Sequence, residues 1–516
     1  MTDKSRPDIY IGLVGAAGTD LSSVIRELRA QLSIVGYTVE HVKVSSLIKS
    51  ALDIPECDNE FERMRRHMKA GDAIRANSSE GGGVACLAVQ EIISKRGEDL
   101  TGKSRVFIID SLKHPDEVTL LDKIYIRNYY TVSVYTPRQK RLENLQIKIS
   151  RDTHEPPGAR TSTRANELIS ADEKSKGNQS QNVRDTFPRA DFFIYGEASL
   201  TEQTKRFVEV VFGEPYTTPT LDEFSMFMAR GAGYRSADLS RQVGAVVVDQ
   251  HGSIIGTGCN EVPYPGGGIY FEGLSDGIGD NRDHVKQIDP NFAEIQRTLI
   301  EIVKALRQAG HIGEGGADYA ADRALVEALL QGEHKDLLSD ARIRSLIEFG
   351  RIVHAEMHAI CDAAAAGRAV RGTSLYCTTF PCHLCAKHIV AAGIREVIYI
   401  EPYPKSLTAQ LYSDEIELAH AQSSTESSSK YNPVRFRPFH GVAPVLFQRA
   451  FRYRPRKNSH GLLATWDPQT SLPSGASGSV ERPMLEASAA ASIGATLDAA
   501  KATLDSILEE AYYGEN

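Results

Sequence analysis

Thr378-Thr379-Phe380-Pro381-Cys382-His383-Leu384-Cys385 decides how this chain is read, together with the upstream stretch Val353-His354-Ala355-Glu356-Met357-His358-Ala359. One histidine and two closely spaced thiols form a ligand set suited to Zn2+. Three protein ligands leave a fourth position open, as a catalytic site requires, whereas a structural site is closed by four. The spacing has physical reasons. Pro381 suits the start of a helix, where its missing N–H costs little. Cys382 and Cys385, at i and i+3, then share one face of the first turn, and the positive end of the helix dipole favours their thiolates. Glu356 stands two residues after His354, is not needed as a ligand, and is placed to work on a water at the metal. The ligands are therefore expected to be His354, Cys382 and Cys385, the catalytic group Glu356, and the bound ion Zn2+. His358 and His383 read as supporting or surface residues. Taken alone, the cysteine pair also reads as a redox motif, but that expects a thioredoxin-like setting with no upstream His-x-Glu. A structural zinc knuckle would need a second Cys-x-x-Cys, which the sequence lacks.

The rest of the composition is that of an ordinary water-soluble protein. Of 516 residues, 41% are hydrophobic and 24% charged, so the chain can bury several cores. The net charge of −8 and pI of about 6.0 lack the basic field of a bulk nucleic-acid binder. A local basic pocket for a small phosphorylated ligand stays open. The opening run is short, glycine-rich and unlike an export signal, and no apolar stretch is long enough for a membrane helix. Seven cysteines, an odd number, fit a reducing compartment. A cytoplasmic location with no membrane association is the expectation.

Along the chain, residues 1–215 alternate strand-like and helix-like segments, which predicts a parallel sheet flanked by helices. Strands are expected at 8–14, 106–110, 130–135 and 192–195. Residues 151–185, rich in Ser, Thr, Asn and Gln, read as a lid or exposed loop. A Pro/Thr linker at 214–221 precedes a second domain, 220–460. In it, a helix at 222–232 leads to a hairpin with strands at 244–249 and 253–258. Residues 262–346 read as an insertion. Residues 461–516 read as a flexible, low-complexity tail with one weak helix at 490–511.

Gly15-Ala16-Ala17-Gly18-Thr19-Asp20-Leu21-Ser22 follows the first strand and opens a helix, the setting of a phosphate-binding loop. The pattern G-x-x-x-x-G-K-[ST] is not met. Aligned on Gly15, Asp20 takes the place of the second glycine, Leu21 of the lysine and Ser22 of the hydroxyl residue. The loop thus lacks the cation that grips β- and γ-phosphates. Gly15, Gly18, Thr19 and Ser22 are the candidate nucleotide contacts. The segment Phe107-Ile108-Ile109-Asp110-Ser111-Leu112-Lys113-His114-Pro115 resembles the acid-ended strand of small-molecule kinases, and Arg138, Arg141 and Arg184-Asp185 resemble parts of their lids. The domain is read as a degenerate P-loop kinase-like fold.

His-x-Glu with Pro-Cys-x-x-Cys is the signature of zinc nucleobase deaminases. More narrowly, residues 224–457 resemble the deoxycytidylate deaminase family. The resemblance rests on Ser240-Arg241-Gln242-Val243-Gly244-Ala245, Gly256-Thr257-Gly258-Cys259-Asn260, the His354 and Cys382 motifs with Ala386-Lys387, and Pro402-Tyr403-Pro404. It implies a cytidine-deaminase-like α/β/α domain with a mixed sheet, and hydrolysis of a cytosine amino group with Glu356 moving the protons. It also implies Asn260 as a sugar contact, with Arg241 and Lys405 as candidate phosphate partners, and a homo-oligomer. A kinase-like domain ahead of such a deaminase resembles the bacterial anti-phage dCTP deaminases. That likeness implies conversion of dCTP, and of dCMP, to deoxyuridine nucleotides in antiviral defence. The departure is the 262–346 insertion, which leaves dCTP against dCMP preference open. Also open are a nucleotide effector at the N-terminal domain and an inhibitory RNA or protein. The competing readings are a tRNA or DNA deaminase acting on a flipped base, and a nucleotide-sensing regulatory protein.

Overall fold

The structure, a computed structural model, describes residues 6–78, 81–97, 103–153, 157–173, 181–273, 279–312, 319–338, 341–403, 406–418, 432–475 and 481–513. The chain divides into two compact bodies. Among the described residues, no helix is long and apolar enough to cross a membrane.

The first body comprises residues 1–227 and 437–516, with 419–429. Its sheet uses β1 (Ile9–Gly15), β2 (Thr38–Val42), β3 (Arg105–Leu112), β4 (Tyr129–Tyr135) and β5 (Phe192–Tyr195). These five strands run parallel in the order β5-β4-β1-β3-β2. Near-continuous apolar runs are what a sheet covered on both faces demands. In β1, Tyr10 and Val14 join one core while Ile9, Ile11 and Leu13 join the other. In β3, Phe107 and Ile109 divide from Val106 and Ile108 in the same way. β2 went unseen in the sequence because its Thr-Val-Glu-His-Val run is polar and mostly not buried.

Three sequence expectations need correcting in this body. Residues 151–185 are not simply a loop. Ala159–Glu173 is a helix that buries Thr161, Ala165, Leu168, Ile169 and Asp172. Its apolar residues, set among polar ones, meet Leu145 and Ile149 of the helix Arg138–Thr153. Residues 154–156 and 174–180 of that stretch lie outside the described residues. Second, the boundary expected at 460 falls at 437. The strand Gly441–Val442 pairs antiparallel with β5, and Val442, Leu446 and Ala450 enter the first body's core. Third, the expected flexible tail is a long helix, Arg482–Tyr513, packed on the helices Glu60–Ala76 and Gly83–Arg96. Its alanines hid the apolar stripe, since Ala489, Ile493, Ala500 and Leu504 are its buried apolar residues. Glu486 locks it down, taking two hydrogen bonds from the Arg96 guanidinium at 2.6 and 2.7 Å.

The second body, 228–418 with 430–436, carries β6 (Gly244–Val248), β7 (Ile254–Cys259), β8 (Ser374–Thr379), β9 (Glu396–Glu401), β10 (Ile416–Leu418) and β11 (Val434–Pro438). The sheet is mixed, in the order β10-β11-β9-β8-β6-β7. β6 runs antiparallel to both β7 and β8, while β8 and β9 are parallel. The hairpin and the helix Leu221–Gly233 arise where the turn and periodicity predict them. Within the insertion, the helices Pro290–Gln308 and Tyr319–Leu330 close a small core of their own around Leu299 and Val326. Arg307 and Asp322 are paired there at 2.6 Å.

Candidate active site

Two helix N-termini build the site. His354 is the N-cap of the helix Ala355–Ala365, with extended backbone (φ −67°, ψ 153°), and Glu356 falls in its first turn. Cys382 is the N-cap of the helix His383–Ala392, and Cys385 lies in its first turn. Pro381 therefore precedes the cap rather than opening the helix, which corrects the expected register. Proline steers the residue before it away from helical backbone, so it fits here at the end of the β8 connection. The shift turns Cys382 into a non-helical residue at the positive end of the dipole.

The His354 Nδ1 lies 3.3 Å from Sγ of both Cys382 and Cys385. Tetrahedral zinc with bonds of about 2.0 Å to nitrogen and about 2.3 Å to sulfur calls for a separation of roughly 3.6 Å, so the donor set fits the ion closely. Among the described residues, this is the cluster of ligand atoms able to hold a metal. A hydrogen bond with Cys385, and the imidazole of His354, hold the Cys382 thiol down to about 4. The same Cys382 contact lifts His354 to about 9. Its bond to Cys382, with burial adding to it, pushes the Cys385 thiol up. These contacts favour the thiolate at Cys382, the form that ligates metal.

Glu356 is buried, and burial raises its carboxyl above the ordinary range, with the Cys382 charge adding to the effect. It lies beside the buried thiol of Cys377 on β8, which burial and the Glu356 charge both push up. Cys377 belongs to the hydrophobic core of this body. His358, expected in a supporting role, faces the backbone of Cys259 at 3.2 Å and ties the His354 helix to β7. That helix sits so close to β7 that a Cβ on Gly258 would run into the Ala355 carbonyl oxygen.

Asn260 is buried, and both ends of its amide are used. Its Oδ1 accepts from the Val243 N–H at 2.7 Å. Its Nδ2 donates to Asp238 Oδ2 at 2.9 Å and to the Arg241 carbonyl oxygen. It thus shapes the 238–243 loop. The Arg241 guanidinium lies 5.4 Å from the centre of the Tyr403 ring. Lys405 lies outside the described residues.

In the first body, Gly15, Gly18, Thr19 and Ser22 come together where β1 meets the helix Leu21–Ile34, which Asp20 caps through Ser23 N–H at 3.2 Å. Two residues that the sequence did not single out complete the loop. Asp172 accepts the Ala17 N–H at 2.6 Å. Lys113 donates to the Gly15 carbonyl at 2.7 Å and pairs with Asp172 at 2.8 Å. The signal was a lysine directly after β3, three residues beyond Asp110. Gly18 has φ +89°, and a side chain there would strike the Arg141 backbone.

A mixed sheet presenting a His/Cys/Cys set at two helix N-termini, with a buried glutamate beside it, defines a zinc-site deaminase domain. The family model for the cytidine and deoxycytidylate deaminase zinc-binding region matches residues 219–401. The deoxycytidylate deaminase of Enterobacteria phage T2 is 32% identical over 167 residues, which are 32% of this chain and 72% of the phage protein. The mouse deoxycytidylate deaminase is 47% identical over 49 residues, 10% of this chain and 26% of the mouse protein. A crystal structure of the dCMP deaminase from cyanophage S-TIM5, in complex with dCMP and dUMP, is 20% identical with a TM-score of 0.21, covering 38% of this chain and 93% of its own. The chain belongs to the deoxycytidylate deaminase family, through its second body.

Proposed function

We propose that the protein hydrolytically deaminates deoxycytidine nucleotides, dCTP and also dCMP, to deoxyuridine nucleotides and ammonia. The observation that carries the reading is the buried Glu356 carboxyl beside the His354/Cys382/Cys385 set. Zinc held by those three residues supplies Lewis acidity that brings the pKa of water down towards 7. Glu356 is placed to take a proton from the attacking water and pass it to the ring nitrogen as oxygen adds at C4, and then to carry the proton of that new hydroxyl to the amino group, which leaves as ammonia while the C4 oxygen becomes a carbonyl. Burial of Glu356 keeps bulk water from competing for that proton. Asn260 is assigned to the sugar, which would have to displace part of its hold on the 238–243 loop, and Arg241 to the phosphates. The cytoplasm is the proposed location and a homo-oligomer the proposed assembly.

The finer assignment to dCTP, and to depletion of the dCTP pool in anti-phage defence, is supported by a parallel α/β body with a glycine loop preceding the deaminase. β1 lies between β3 and β4, so the loop sits at the carboxyl end of a central strand, where such sheets bind ligands. A nucleotide effector there would meet Gly15, Gly18, Thr19 and Ser22, and would have to take the place of the Asp172 carboxylate. The test is a panel of dCTP, dCMP, CTP and cytidine, with ammonia and product followed by chromatography. Turnover of dCTP and dCMP is expected, with a loss of roughly 10^2- to 10^4-fold in Glu356→Ala at full zinc content. Turnover of none of the four by the zinc-loaded protein would sink the proposal.

A further inference from the structure

A cavity of about 680 Å3 opens in the first body, lined by Arg127, Gln448, Arg449, Arg452, Tyr453 and Arg454 among others. It shares no residue with the metal cluster or the glycine loop. Four guanidiniums thus surround one concavity in a chain whose acids outnumber its lysines and arginines, 67 to 59. Two of them are fixed by neutral partners. Arg449 Nε donates to the Ser474 carbonyl at 2.9 Å, its Nη2 reaches both the Arg127 carbonyl and the Tyr130 hydroxyl, and it lies 4.7 Å from the Tyr130 ring centre. Arg454 donates to the Ser474 hydroxyl and covers Gly213 at the C-terminal end of the helix Leu200–Phe212. Arg127 and Arg452 are exposed. Among the described residues, none of the four forms an ion pair with a carboxylate, although Arg449 feels the fields of Asp122 and Asp191. Burial makes the Arg454 charge harder to hold.

With no carboxylate in ion-pair contact, and only the longer-range fields of Asp122, Asp191 and Glu214 to offset them, four like charges around one concavity favour an anion that joins them. The planar guanidinium fork matches phosphoryl oxygens two at a time. The volume falls in the range of small-ligand pockets, and a concavity, unlike a long basic stripe, suits a compact anion better than a nucleic-acid backbone. Tyr453, Val445 and Leu472 add apolar surface, and all three are large exposed hydrophobic residues. We propose that this cavity is a binding site for a small polyphosphate, with the charge and size of a nucleoside triphosphate.

The experiment is calorimetric titration of the full-length, zinc-loaded protein with sodium tripolyphosphate and, separately, ATP. Wild-type protein is expected to bind tripolyphosphate. Arg127→Ala and Arg452→Ala should each weaken it about tenfold, and the double variant about a hundredfold, as removal of a charge-assisted contact implies. Both side chains are exposed, so unchanged zinc content and melting temperature certify the fold. Arg26→Ala, the loss of one surface cation elsewhere in the body, should bind like wild type. Tighter binding of ATP than of tripolyphosphate would show that the apolar surface reads a base, and equal binding that the phosphates alone are recognised. Equal tripolyphosphate affinity in the wild type and the double variant would overturn the proposal, wherever the anion then sits. So would the absence of wild-type binding at millimolar ligand, or binding restricted to a single-stranded oligonucleotide.

Discussion

Glu486→Ala is the most informative perturbation of the first body. Its carboxylate takes both hydrogen bonds of the Arg96 guanidinium, and the two side chains are only 2% and 4% exposed. Removing it strands a buried cation, which typically costs about 3–5 kcal/mol. A body whose whole stability is about 5–15 kcal/mol loses a large part of it. The chain's single tryptophan, Trp466, packs against the core of this body, so its fluorescence reports this unfolding transition. With a urea slope of about 2–3 kcal/mol per molar, the midpoint should fall by about 1–2 M. The double variant Arg96→Met/Glu486→Met should recover most of the loss, because an apolar pair replaces the ion pair without leaving a charge. A fall of less than about 0.3 M in Glu486→Ala would refute the reasoning and return the last residues to the status of a loose tail. The deaminase body holds neither residue and should keep its zinc.

Cys385→Ala removes one of three metal ligands and should leave the purified protein without stoichiometric zinc by metal analysis, a fully loaded variant excluding this ligand set. Gly258→Ala forces the His354 helix off β7 and should lower both kcat and zinc affinity at least tenfold, and wild-type values in both would show that the close approach is unimportant. Burial lifts Asp191 to about 7, above the value of about 3.9 for an unfolded chain. The folded state therefore holds this proton more tightly, and the contribution, complete below about pH 4, is lost as pH rises to about 7. Urea midpoints of the tryptophan transition between pH 5 and pH 8 should fall less steeply in Asp191→Asn, and an identical slope would remove Asp191 as the cause.

How much of this was legible depended on whether a signal was local. The zinc set was readable because His354, Glu356, Cys382 and Cys385 lie in two short motifs whose chemistry is fixed by residue type. The strands β1, β3, β4 and β5 were readable as apolar runs. What escaped depends on distant partners. Asp172 looked like one acid in a polar stretch, and only the fold brings it to the Ala17 N–H. Glu486 sat in an alanine-rich tail, and its weight comes from Arg96, 390 residues away. Asn260 could be named from its motif, but its hold on the 238–243 loop could not. Pro381 suggested a helix start two residues too early, since a proline serves before a cap as well as after it.

The first body is written in two pieces, with residues 228–418 of the other between them. A ribosome therefore delivers the whole deaminase before the strand Gly441–Val442 and the helix Arg482–Tyr513 exist. The second body can settle as soon as β11 emerges, while the first waits with Arg96 and the apolar faces of its helices uncovered. The helix Arg482–Tyr513 is thus the piece that closes a core begun several hundred residues earlier.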